Sequence, residues 1–247
     1  AAATTIFTWL VGYLMSFGWH MTFGVYALGV IPLIMFGLFV SDKTPTVTGA
    51  ETSTVSSQKP KLNATMIGYG IFMFILFVTY FGMTVKIAPL FEQAGYGTAA
   101  EASLISGISA ATGFVAGVIF GSIKQILGRY MIGLGTLAGA VMVLVLSMSQ
   151  NLILSGVAIA VYGLAFGMAV PAIYSAKTDE ASQNLGSTIL LVAVNMGVFL
   201  SPYVFQLIAS AFGDSSAVFS MRVDGLLVLA LAVITLVTAS LQKPERA

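Results

Sequence analysis

Six side chains between positions 184 and 206 recur at helical spacing in an otherwise apolar run. They are Asn184, Thr188, Asn195, Phe199, Pro202 and Gln206, spaced 4, 7, 4, 3 and 4 apart. That rhythm lines them along one side of a helix. Amides and a hydroxyl so placed either wall a solute pathway or hydrogen-bond to a neighbouring helix. Asn195, in mid-run, is better placed for the first role than Asn184 or Gln206 near the ends. A second candidate is Lys86, 22 steps from Ala64 in its own apolar run, or about 33 Å of helix. It either snorkels to the membrane interface or aims a cation into a pathway, where it would attract a substrate carboxylate. Thr79 and Met83 share its face, and Tyr80 lies beside that face, deeper in the run. A third run carries Tyr162 and Phe166 one turn apart, with Gly163 and Gly167 as a small-residue strip on an adjacent face.

Other chemistry finds few hosts. Cysteine is absent and there is one histidine, so neither a thiolate or His-rich metal site nor a disulfide is expected. No cofactor is implied. His20 could titrate near neutral pH, but its short loop makes it an exposed histidine. Asp179 and Glu180 read as solvated loop charges. Glu92, Glu101, Asp214 and Asp224 fall on the outer side of the membrane in the assignment below, and no Asp or Glu is placed in the middle of a run. A proton-coupling carboxylate is therefore not expected within this chain. The motif G-x-x-x-x-G-K-[ST] is missing, as is any nucleophile–base pair, and the lack of mid-run Asp, Glu, His or Cys disfavours a membrane-embedded enzyme. No exposed basic stripe suggests nucleic acid.

These residues must be positioned by membrane-crossing helices. The chain is 58% hydrophobic and 8% charged, with mean hydropathy +0.99, too little charge to cover a soluble surface of this size. With about 20 apolar residues per span, eight runs are legible: 1–17, 21–40, 64–90, 102–123, 130–149, 152–175, 185–211 and 218–241. The expected fold is an all-α polytopic membrane protein. The first run begins at the chain terminus and looks cut. No basic-then-apolar leader precedes it. Ser41–Asn63 is rich in Ser, Thr, Lys and Pro and reads as a flexible linker. The organisation is thus 1–40, the linker 41–63, and six spans over 64–247.

A polar hairpin, Gly121–Tyr130, joins the fourth and fifth runs, with Lys124 and Arg129 on either side of the bend. Ser109, Gly113, Gly117 and Gly121 before it, and Gly135 and Gly139 after it, repeat every four residues. Each strip offers a smooth face for a second backbone. Eight of the ten Lys and Arg residues fall on the side holding the linker, this hairpin, the 175–184 loop and the C-terminus, which assigns that side to the cytoplasm.

The layout resembles the C-terminal part of a major facilitator superfamily transporter, with two six-helix halves joined by a cytoplasmic linker. The early runs would be helices five and six, and the later ones helices seven to twelve. Gly121, Gly128 and Arg129 match the family's G-x-x-x-D-R-x-G-R-R loop; Gln125 replaces the acid, Ile126 the first basic residue and Tyr130 the last. Trp19-His20-Met21-Thr22-Phe23 is similar to W-R-x-x-F, with His20 for Arg. The resemblance implies helices one to four elsewhere, in the same protein or another chain. It also implies a multi-pass protein of a bacterial inner or plasma membrane, whose partners are the bilayer and a small-molecule solute. Substrate-facing residues would be Asn195, Thr188, Phe199, Tyr80, Lys86, Tyr162 and Phe166. Tyr162 and Phe166 would form a gate, with lipid-facing aromatics as the alternative; Gly121, Gly128 and Arg129 would form the structural loop. The expected function is secondary active transport of a small organic solute, an organic anion if Lys86 faces the pathway. Two rivals are a multidrug efflux antiporter, disfavoured by the lack of a Gly-Pro motif near the start, and a non-transporting sensor on the same fold.

Overall fold

The computed structural model describes residues 2–39, 64–175 and 180–241, with side chains over 5–39, 64–175 and 185–241. It is all-α, with no strand among the described residues. Eight α-helices follow in order: α1 (Ala2–Met15), α2 (Val30–Phe39), α3 (Ala64–Ala94), α4 (Ala99–Leu127), α5 (Met131–Met148), α6 (Leu152–Tyr174), α7 (Glu180–Phe212) and α8 (Ala217–Leu241). Six helical stretches are long and apolar enough to cross a membrane; one of them, Ala99–Met148, contains both α4 and α5. The linker 41–63, the loop residues Lys177 and Asp179 and the side chain of Asn184 lie outside the described residues.

Several expected boundaries move. The run 21–40 is not one α-helix: Trp19–Gly29 winds as a 3-10 helix before α2 begins. None of its residues is buried, so no packing enforces the wider helix there. The hairpin is also shorter than expected. Helix α4 continues through Gly121 and Lys124 to Leu127, and the reversal is confined to Gly128–Tyr130. Gly128 supplies the bend with φ 50°, a conformation that costs a residue with a side chain more. Lys124 lies on the helix end and donates to Ser175 Oγ at 2.9 Å, tying α4 to the end of α6. Arg129 donates to the Tyr130 hydroxyl at 2.9 Å, so the residue replacing the family's last basic position satisfies its neighbour.

Helix starts have local causes. Thr98 and Glu101 form a capping box on α4, with Glu101 Oε2 accepting the Thr98 amide at 2.8 Å. Asn151 Oδ1 accepts the Ile153 amide at 2.7 Å and caps α6. Helix α8 borrows its cap from another helix: Gln93 Oε1 at the end of α3 accepts the Ala217 amide at 2.8 Å.

Helix neighbours define the architecture. Helices α4, α6, α5, α8 and α3 contact one another in that order, and α3 also touches α4, closing a ring. Helix α7 packs on the outside of α3, and α1 on the outside of α4. Lipid is as apolar as leucine, so close van der Waals packing must hold such seams. The small residues provide it where the strips meet. Gly163 of α6 lies against the Ser109 backbone, and a Cβ on Gly167 would sit 2.7 Å from the Gly113 carbonyl. Only this half of the α4 strip is used, because a Cβ on Gly117 or Gly121 would meet nothing within 4 Å. Gly197 of α7 meets α3 in the same way: a Cβ there would sit 2.6 Å from the Phe74 carbonyl. Beside it, Ser201 Oγ donates to the Val78 carbonyl at 2.6 Å across the seam.

Candidate functional site

The expected site residues separate into two groups. Tyr80, Tyr162 and Phe166 come together between α3 and α6. The Tyr80 and Phe166 rings stack with centroids 4.0 Å apart and 22° between planes. Tyr80 and Tyr162 lie 6.0 Å apart and nearly parallel at 13°. Phe77, not singled out from sequence, completes the group edge-on to Phe166 at 5.2 Å. It sits one turn before Tyr80 in a run where aromatics are common, so spacing alone carried no signal for it. Tyr162 is 3% exposed and belongs to the main core, which removes the lipid-facing alternative for that residue.

Two of these rings, Tyr80 and Phe166, line a cavity of about 480 Å³ between α3, α4 and α6, together with Gly113, Gly117, Gly163 and Gly167. Glycine does two jobs here: Gly163 and Gly167 let α6 close on α4, while the unfilled space over Gly117 leaves room beside them. The volume and the apolar, aromatic lining suit a small organic ligand. Ser109 supplies a hydroxyl in the wall.

The second group is on α7. Thr188, Asn195, Phe199, Pro202 and Gln206 are all exposed, on the side opposite the buried Leu190, Gly197 and Ser201 that meet α3. The Asn195 amide nitrogen donates to the Leu191 carbonyl at 2.8 Å, within its own helix. That bond uses the i−4 carbonyl and not a neighbouring helix. The inner face of the same helix, at Leu190, Ala193 and Val194, packs in one cluster with Phe77, Phe166 and Val170.

Lys86 joins neither group. Helix α3 runs on to Ala94, so Lys86 lies two turns inside its end, half-exposed, with Thr79 and Met83 buried beneath it. At 31 residues the helix is about 46 Å long, more than the hydrocarbon core needs.

Asp224, expected on the outer side within the run 218–241, is buried in a way its own run does not announce. It lies in α8 between Met221 and Val228 on the buried face and is 1% exposed. Packing of α5 and α3 over its first turns buries the carboxylate.

A family model described as Major Facilitator Superfamily matches residues 1–202, from α1 into α7. No curated protein matches the chain.

Proposed function

The chain belongs to the major facilitator superfamily, whose members are membrane transporters, and on that premise we propose that it carries a small organic solute by alternating access. The observation that supports this most is the stacked pair Tyr80 and Phe166 lining a cavity of about 480 Å³, with Phe77 and Tyr162 packed against them. Stacked rings present flat apolar faces, and the Tyr80 hydroxyl and Ser109 add the few polar contacts that orient a solute. In this reading the six helices α3–α8 form one bundle and α1 and α2 belong to the other. Four further helices, in the same protein or in another chain, complete the second bundle. The two rock about a site near the midplane, with the linker and C-terminus on the cytoplasmic side.

Solute counterflow into vesicles holding the complete protein tests this reading. Tyr80→Ala and Phe166→Ala should each lower exchange about tenfold, the worth of one aromatic contact. Gly121→Ala, over open space, should not. Binding of solutes without exchange would identify a sensor and overturn the transport reading.

A further inference from the structure

A second cavity, of about 390 Å³, has no role in the transport reading. It is bounded by α3, α5 and α8, whereas the aromatic cavity lies between α3, α4 and α6. Its lining is mostly apolar: Ile71, Phe72 and Ile75 of α3, Ile132 of α5, and Leu231 and Ile234 of α8. Ile71 is 56% exposed and Ile234 62%, so the described helices leave it an open groove on the outside of the ring. Gly68 deepens it, since a Cβ there would meet nothing within 4 Å.

Length and level point to the occupant. On α3 the lining runs from Thr65, the second residue of that helix, to Ile75. On α8 it runs from Leu231 to Ala239, two residues before the helix ends. These stretches are about 15 and 12 Å long, close to half the hydrocarbon core, which is one leaflet. A path for a transported solute would have to continue across the second half. At the outer rim stands Arg129, the charged side chain of the lining. It directly precedes α5, whose 18 residues span about 27 Å, nearly the core thickness. Arg129 is therefore level with lipid headgroups.

The guanidinium is exposed and held at this rim by Tyr130. It lies 4.9 Å over the Tyr130 ring and donates to the Tyr130 hydroxyl at 2.9 Å. An arginine fork matches the spacing of phosphate oxygens. Thr65 and Thr238 bring hydroxyls to the same end, and no carboxylate lines the groove to repel an anion. In sequence, Lys59 and Lys61 precede α3 and Lys243 follows α8, which adds positive charge near those helix ends.

We propose that the groove binds one anionic phospholipid, with its phosphate on Arg129 and an acyl chain laid between α3 and α8. A basic rim over an apolar, leaflet-deep groove fits an amphiphile, and neither half alone would select one. The bound lipid bridges three helices at the end of the bundle where α3 begins and α8 ends. This site stands independently of the transport reading.

Native mass spectrometry tests it, on the complete protein released from vesicles of equal phosphatidylglycerol and phosphatidylethanolamine. Phosphatidylglycerol should be retained in preference. Arg129→Gln should lower that preference about fivefold, the worth of one basic residue at a membrane surface. Lys124→Gln, exposed at the same end but outside the lining, should not. Gly68→Leu fills the groove without meeting a neighbour, and should lower retention of both lipids while leaving the melting temperature in lipid-free detergent unchanged. Equal retention of the two lipids, or a preference that survives Arg129→Gln, would overturn the proposal. So would displacement by millimolar glycerol 3-phosphate, which would mean a soluble-anion site on the arginine alone. Retention of no lipid would mean that another segment or protein covers the groove, and would overturn it as well. None of these outcomes depends on whether the protein exchanges solute.

Discussion

At the scale of single residues, charge and its solvation decide what each polar group can do. Lys86 is half-exposed in an apolar helix, so it can reach water or a solute without a protein counter-ion. If it faces the pathway, Lys86→Ala abolishes uptake of anionic solutes and spares neutral ones; equal uptake of both places it at the interface. Asp214, in the α7–α8 turn, shows the opposite economy. It accepts the Ser216 amide at 2.8 Å, and that bond, with the Ser216 hydroxyl, holds its carboxyl below the usual carboxylate range. The fold favours the charged form, so its stabilisation is complete above the usual range and is lost as pH falls through the lowered value. Protection of the Ser216 amide against hydrogen exchange, taken relative to its intrinsic rate at each pH, should fall on acidification in that window, and the dependence should vanish in Asp214→Asn. Protection that ignores acid would mean the bond does not order the turn.

At the scale of helices, small residues set which surfaces can meet. The four-residue repeats were legible because a glycine strip is a property of one helix. Which half of a strip finds a partner depends on a second helix, and one helix's spacing cannot show it. Gly163 and Gly167 meet Ser109 and Gly113, whereas Gly117 and Gly121 open onto space. Helix number followed from apolar run length; helix ends did not, because capping by Gln93 or a turn at Gly128 outweighs composition over three or four residues. The site was legible to the same degree. Tyr162 and Phe166 were found by their spacing, but their stacking on Tyr80 needed the α3–α6 approach. Asp224 was missed because burial by neighbours is not written in its own run. Gly163→Leu should force α4 and α6 apart and cost several kcal/mol, the upper range of core overpacking, read as loss of folded protein on mild detergent heating. Gly121→Leu, at the open end of the same α4 strip, should leave the melting temperature within a few degrees. Equal loss in both would show that the strip acts through backbone conformation and not through contact.

At the scale of the whole molecule, the question is which helices move together. Helix α1 precedes the 41–63 segment in sequence yet packs on α4 after it. The Trp9 indole donates to the Leu104 carbonyl at 3.1 Å, and Ser103 Oγ donates to the Thr8 carbonyl at 3.2 Å. If α1 belongs to one rocking bundle and α4 to the other, this seam must open and close once per cycle. These 247 residues hold no cysteine, so none of them competes with an engineered pair. A Cβ built on Gly12 falls 3.3 Å from Ser103 Cβ, close to the spacing a disulfide adopts. The double variant Gly12→Cys with Ser103→Cys should therefore cross-link on mild oxidation. Counterflow should fall at least tenfold in the oxidised protein and return on reduction, because a covalent tie of this kind removes one of two arrangements the carrier must visit. Should the oxidised protein exchange solute at the reduced rate, α1 would travel with the six later helices, and the division of the chain at the 41–63 segment would have to be abandoned even though the transporter family stands.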